Sequence, residues 1–130
     1  MTRSERKEET VNLTKKHCVP CEGGAPPLTD EQEDALLTEL EGWELERTGV
    51  HRIFKTWLLP SFMEAIEFVN TIAQLAESEG HHPELIINYR RVTVELSTHA
   101  ILGLSENDFI LASKIDLLNR TTNSSKKKRK

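Results

Sequence analysis

From Leu28 onward the chain switches between two hydrophobic rhythms, and the switches order the fold. Thr29 with Gln32 forms a capping-box pattern ahead of Leu36, Leu37 and Leu40, and Gly42 stands where that first helix should stop. Trp43 and Leu45, then Ile53-Phe54 and Trp57-Leu58, are aromatic and β-branched runs split by Thr48-Gly49, which predicts a hairpin turning near Gly49. Pro60, Ser61 and Glu64 open a second helix, in which Phe62, Ala65, Ile66, Val69, Ala73 and Ala76 recur at helical spacing. Gly80 is its expected left-handed end, and Pro83 prevents continuation. Leu85, Ile87 and Tyr89, then Val92, Val94 and Leu96, alternate with their neighbours as two half-buried strands. Ser105 caps a last helix whose Leu111, Ile115 and Leu118 share a stripe, with Leu104 placed to staple against Phe109. The order helix, strand, strand, helix, strand, strand, helix predicts an α+β fold: a four-stranded antiparallel sheet with three helices packed on one face.

Outside this ordered stretch the pattern disappears. Residues 1–27 have no apolar periodicity and end in Gly23-Gly24-Ala25-Pro26-Pro27, so they are expected to form a flexible N-terminal arm. Residues 28–120 make up the domain. Residues 121–130 join a polar Thr/Asn/Ser run to five basic residues and are expected to be a disordered basic tail.

A length of 130 residues suits one domain, since single domains usually run to about 100–150 residues. The net charge of −4 conceals a division along the chain. Between Gly23 and Arg120 there are 7 basic and 17 acidic residues, so the domain should repel nucleic-acid phosphates, and any such role would rest on the tail. No apolar run approaches the roughly 20 residues a membrane span needs, and the N-terminal residues lack the apolar core of a secretory signal. The expected location is therefore cytoplasmic, or nuclear if the basic tail is an import signal.

Candidate chemistry gathers at the last hairpin. With Arg90-Arg91 as a two-residue turn, Tyr89 faces Val92, Ile87 faces Val94, Leu85 faces Leu96, and His82 falls opposite His99. Arg-Arg lacks the Asn-Gly preference of a tight hairpin, so a longer loop with the register shifted by two is the alternative. His81 follows the second helix directly, beside its unpaired carbonyls. Glu84 and Glu95 share the strand face of His82 and His99. Imidazoles that titrate near neutrality can both give and take protons there. The plainer readings are a polar surface or a zinc site, although adjacent histidines point apart and chelate poorly.

Taken together, Glu77-Ser78-Glu79-Gly80-His81-His82-Pro83, Tyr89, Ser97-Thr98-His99, Gly103-Leu104-Ser105-Glu106 and Asp108 resemble the motif of the pterin-4a-carbinolamine dehydratase family. Gly42-Trp43 ahead of Ile53-Phe54-Lys55 also looks like that family, and the resemblance spans Leu28 to Leu118. It implies a dehydratase that needs neither metal nor cofactor, eliminating water from 4a-hydroxytetrahydropterin to give quinonoid dihydropterin. It further implies His81 and His99 as the acid/base pair, with His82 binding and orienting the pterin. Gly80, His81, His82, Pro83, Ser97, Thr98, His99 and Ala100 are then the substrate-binding residues, with Glu77 and Asp108 in support. Asp108 also suits the first turn of the last helix, where an acid stabilises the dipole. Leu85 stands where the family often has Trp.

His17-Cys18-Val19-Pro20-Cys21 resembles the N-terminal arm of many bacterial and plant members; its Cys-x-x-Cys falls short of a closed four-ligand zinc site. By the same resemblance, the expected partners are a pterin substrate, further copies in a homodimer or homotetramer, and an aromatic amino acid hydroxylase as substrate source. The rival reading is a non-enzymatic module, because members of the family also act as dimerisation cofactors for transcription factors. Phe68, Ile72 and Leu75 are the expected exposed stripe for either association.

Overall fold

The computed structural model describes residues 13–18 and 26–129, with side chains to Leu118. Its elements follow the expected order: α1 (Asp30–Leu37), β1 (Glu44–Glu46), β2 (Arg52–Leu58), α2 (Phe62–Glu79), β3 (Glu84–Asn88), β4 (Arg91–Leu96) and α3 (Glu106–Arg129). The strands lie in the order β1-β2-β4-β3, every pair antiparallel. Among the described residues no helix is long and apolar enough to cross a membrane.

The caps behave as the sequence predicts. Thr29 and Gln32 form a reciprocal capping box at the start of α1, and the Ser61 hydroxyl accepts from the Glu64 N–H at the start of α2. The first helix nevertheless ends at Leu37, five residues before Gly42. There the Thr38 hydroxyl donates to the Ala35 carbonyl at 2.6 Å, a side-chain bond that competes with helix continuation.

Period-two alternation divides the sheet into two faces. Ile53 and Trp57 on β2 and Val92, Val94 and Leu96 on β4 are buried in one cluster with Phe68, Ile72, Phe109, Leu111 and Ile115 from the helices. The opposite face carries polar pairs such as Thr56 and Thr93, whose hydroxyls meet at 2.8 Å. Helix α2 buries Ala65, Phe68, Ile72 and Ala76. Phe68 and Ile72 are therefore core residues, not the exposed stripe expected of them, whereas Phe62 and Met63 are exposed. Apolar residues occupy so much of the α2 circumference that periodicity alone does not select the face; contact with the sheet does.

The hairpin register also differs from the favoured one. Leu85 pairs with Val94, Ile87 with Val92 and Asn88 with Arg91, so the turn is Tyr89-Arg90 and every partner moves by two. Tyr89 takes a positive φ of 57°, as the first position of a primed two-residue turn requires. The Arg90 carbonyl accepts from the Leu59 N–H at 2.9 Å, which holds Arg90 in the turn from outside the hairpin. Continued by two residues, this register sets His82 beside Ser97 rather than His99.

The domain also extends beyond its expected limits. Leu13–Lys15 forms a 3-10 turn, and Leu13 is buried in the core, so this part of the arm is docked rather than flexible. Leu13→Ala should lower unfolding free energy by about 2 kcal/mol in urea melts, the ordinary cost of emptying a buried leucine site. An unchanged midpoint would show that the arm adds nothing to the core. At the other end, the helical backbone of α3 runs to Arg129, past the Arg120 boundary that composition predicts. Elongation fixes only one residue per hydrogen bond, so a helix nucleated by packing can run on through a polar tract.

Candidate active site

Gly80 ends α2 with φ of 67°, a conformation that strains any residue bearing a Cβ. Its N–H and that of His81 bond back to the last turn, satisfying carbonyls that the helix end leaves open. This reversal delivers His81 and His82 in succession. His81 Nε2 lies 2.6 Å from Asp108 Oδ1, and His82 Nε2 lies 2.9 Å from Glu77 Oε2. An ionised carboxylate only accepts, so each Nε2 carries a proton toward its carboxylate.

Asp108 is fully buried at the first turn of α3. Its Oδ2 accepts from the Thr98 hydroxyl at 2.8 Å and from the Ser105 N–H at 3.0 Å. Because the Thr98 proton goes to Asp108, the Ser105 hydroxyl is the donor in the 2.8 Å contact between the two hydroxyls. One carboxylate thus ties the α3 N-terminus, the segment leaving β4 and His81 together. Asp108 serves the first turn of α3, as expected of an acid there, and it also holds His81, a role that sequence reasoning considers for Glu77 alone.

Beyond β4, Thr98 and Gly103 bridge through both backbone groups. The loop between them, with a 3-10 turn at His99–Ile101, raises His99 and Ala100 to the surface. Gly103 is obligatory here, since a Cβ would come within 2.7 Å of the Pro27 Cβ.

A cavity of about 250 Å³ opens on the uncovered face of the sheet, lined by His82, Ser97 and His99 together with Val50, Arg52, Glu84 and Glu95. Two of the three expected catalytic imidazoles therefore share one cavity despite the changed register. His81 is not on its wall but is turned into Asp108, and Thr98 is buried with that network. Gly80 forms the turn, Pro83 is half-buried beside it, and Ala100 is exposed at the loop tip. Glu77 reaches the cavity only through His82. Sequence reasoning noted the face shared by Glu84 and Glu95 but missed Val50 and Arg52. The β2–β4 pairing brings Arg52 in: extending Ile53↔Leu96 by one residue sets it beside Ser97. No local pattern encodes that non-consecutive neighbour.

The described part of the arm, Leu13 to Cys18, reaches the same helix terminus. Glu79 accepts from the Cys18 N–H at 2.8 Å and pairs with Lys114 at 2.7 Å and His17 at 3.3 Å. Burial opposes its charge, but the bonds from Lys114, Cys18 and His17 prevail and hold the carboxyl at about 2. Burial, followed by the Glu79 charge, pushes the Cys18 thiol up to about 12. Cys21 lies outside the described residues. Since the folded Glu79 carboxyl binds its proton more weakly than its ordinary 4.5, it adds stability above that pH, and this contribution is lost as pH falls through about 2. Glu79→Gln should therefore be less stable than the parent chain at pH 7, with the gap closing in urea melts taken down this range. A gap independent of pH would show that the charge is not what stabilises the contact.

Among the described residues, the one His/Cys/Asp/Glu group close enough to hold a metal ion is Asp30, Glu33 and His51, none of which lines this cavity. The Arg47 guanidinium already pairs with Glu33 at 3.0 Å and with Asp30 at 3.6 Å, supplying the positive charge an ion would bring.

A family profile described as Pterin 4 alpha carbinolamine dehydratase matches residues 26–118. The chain is 51% identical over 110 residues to a protein of Rickettsia bellii, covering 84% of this chain and 96% of that one. It is 44% identical over 110 residues to a protein of Methylococcus capsulatus, covering 85% and 96%. Both carry the provisional name pterin-4-alpha-carbinolamine dehydratase. Among solved structures, a transcriptional coactivator/pterin dehydratase from Brucella melitensis superposes with a TM-score of 0.67 at 32% identity, covering 71% of this chain and 97% of that one. A pterin dehydratase-like RuBisCO assembly factor of the alpha-carboxysome shares the fold, with a TM-score of 0.52 at 22% identity over 60% of this chain and 89% of that one. With the profile spanning most of the domain and close relatives matched over nearly their whole length, this chain belongs to the pterin 4 alpha carbinolamine dehydratase family.

Proposed function

We propose that this protein eliminates water from 4a-hydroxytetrahydropterin, leaving quinonoid dihydropterin, with imidazoles as the only proton carriers. The observation that carries the reading is the convergence of His82 and His99, from separate elements, on one cavity beside a carboxylate-held His81. The C4a–O bond must break, and hydroxide leaves readily only when it is protonated to water. The N5 proton must leave as the C4a=N5 bond forms, so the reaction needs one acid and one base acting on adjacent atoms. We assign these roles to His99, on the cavity wall, and to His81, which lies off that wall and engages Asp108 through Nε2 alone, and the face of the ring that bears the hydroxyl decides which donates. His82, fixed by Glu77, orients the bicycle. Neither proton transfer calls for a metal.

A cavity lined by Glu84 and Glu95 favours an uncharged heterocycle over a phosphorylated ligand. The same reading includes a homodimer or homotetramer and a hydroxylase as the source of the carbinolamine. Self-association would draw on exposed apolar residues near the β3–β4 turn, such as Leu58, Phe62, Met63 and Tyr89. The non-enzymatic alternative draws on the coactivator and assembly roles by which the two solved relatives are described. Stopped-flow absorbance of carbinolamine generated in situ separates the readings. The purified protein, stripped of metal by chelation, should speed dehydration well above the buffer rate and gain nothing from added zinc. A rate equal to buffer would overturn the dehydratase reading in favour of the interaction module.

A further inference from the structure

Two carboxylates face each other at the cavity wall where the sheet itself would not place them. Glu84 on β3 and Glu95 on β4 are direct cross-strand partners, an arrangement that costs stability when both are charged. Glu84 has no hydrogen-bond or ion-pair partner among the described residues. Glu95 has only a loose one, Arg52 at 3.6 Å, which also donates to the Thr48 carbonyl at 3.4 Å. All three line the cavity that holds His82 and His99. The wall therefore presents a run of acceptor oxygens followed at once by a guanidinium donor.

We infer that Glu95 and Arg52 are the specificity residues of this site and read the 2-amino-4-oxopyrimidine edge of the ring. This inference rests on the dehydratase reading and extends it. The edge offers, in order, the 2-amino N–H, the N3–H and the 4-oxo oxygen: two parallel donors and then an acceptor. A carboxylate takes two parallel N–H donors as a fork, as it does from arginine. The adjacent guanidinium then supplies a donor to the 4-oxo group. Seating that edge on Glu95 relieves the crowding of negative charge against Glu84, and directs the fused second ring, with C4a and N5, toward the imidazoles. The 3.6 Å spacing of Arg52 and Glu95 leaves both groups able to turn to the ring edge.

The test is equilibrium binding of two probes, pterin and lumazine, by titration calorimetry on the intact chain, with carbinolamine turnover measured alongside. Lumazine carries an oxygen in place of the 2-amino group and so turns an acceptor toward Glu95. The parent chain should prefer pterin by about 10- to 100-fold, the range of a hydrogen bond to a charged group. Glu95→Gln, whose amide can serve either edge, should bring the two probes within about 3-fold of each other. It should also raise KM for the carbinolamine with little change in kcat, because ring recognition is lost equally in ground and transition states. Glu95 lies on the open sheet face, so the unfolding midpoint should stay near that of the parent, and Glu95→Ala gives a second reading without a new amide. A parent chain that turns over carbinolamine while Glu95→Gln and Glu95→Ala keep the full pterin preference would overturn this inference and leave the dehydratase reading intact. A parent chain that neither turns over carbinolamine nor binds either probe would remove both.

Discussion

His99→Ala should lower carbinolamine turnover by about 10²- to 10⁴-fold, the usual contribution of a positioned acid or base. His99 sits exposed on the loop between Thr98 and Gly103 and lines the cavity, so removing its ring empties no core space. Folding, followed by circular dichroism and urea melts, should be unchanged. His81→Ala should cost a comparable factor for a different structural reason. It strips one of three hydrogen-bond donors, the imidazole on Oδ1, from a fully buried carboxylate and so lowers stability as well. His81→Gln, whose amide can still donate to Asp108, separates the two effects: stability should recover and turnover should not. Acid and base act in one concerted step, so the double variant should be little slower than either single one. Parent-like rates in His99→Ala would remove it from the mechanism.

Asp108→Ala should be the most destabilising substitution in the site, at about 3–5 kcal/mol. The Thr98 hydroxyl, the Ser105 N–H and His81 would all lose their acceptor in the interior, and each orphaned group retains its full desolvation cost. Asp108→Asn tests the chemistry without that collapse. An asparagine oxygen turned toward Thr98 and Ser105 preserves those two bonds and presents an NH₂ group to His81. The ring must then accept at Nε2 and carry its proton on Nδ1, the tautomer opposite to the one Asp108 enforces. Turnover should therefore fall about 10- to 100-fold with KM nearly constant, since orientation of a catalytic ring is felt in the transition state. Equal turnover in Asp108→Asn and the parent would confine Asp108 to its helix-capping role.

The contrast between these sites reflects what local sequence can encode. Thr29, Ser61 and Gly80 declare helix ends because caps and left-handed turns are settled within four residues of chain. The meeting of His82 and His99 was legible for a similar reason: His82 lies between a helix stop and β3, and His99 follows β4, which pairs with β3. The register was not. Side chains alternate with period two, so a shift of two keeps Leu85 and Ile87 against valines and leaves the apolar matching almost silent. Its anchor is the Leu59 N–H bond to Arg90, made across some thirty residues of chain.

The same division runs through the whole protein. Residue order alone determined the seven elements, their antiparallel sheet with helices on one face, and the histidines placed at its last hairpin, because each depends on neighbours close along the chain. Only the tertiary structure decided that Phe68 and Ile72 point inward, that Leu13 completes the core, that Asp108 secures His81, and that Arg52 stands beside Glu95. Each of these is a contact between segments distant in sequence, and its position depends on how separately formed elements pack, not on the preferences of any one of them.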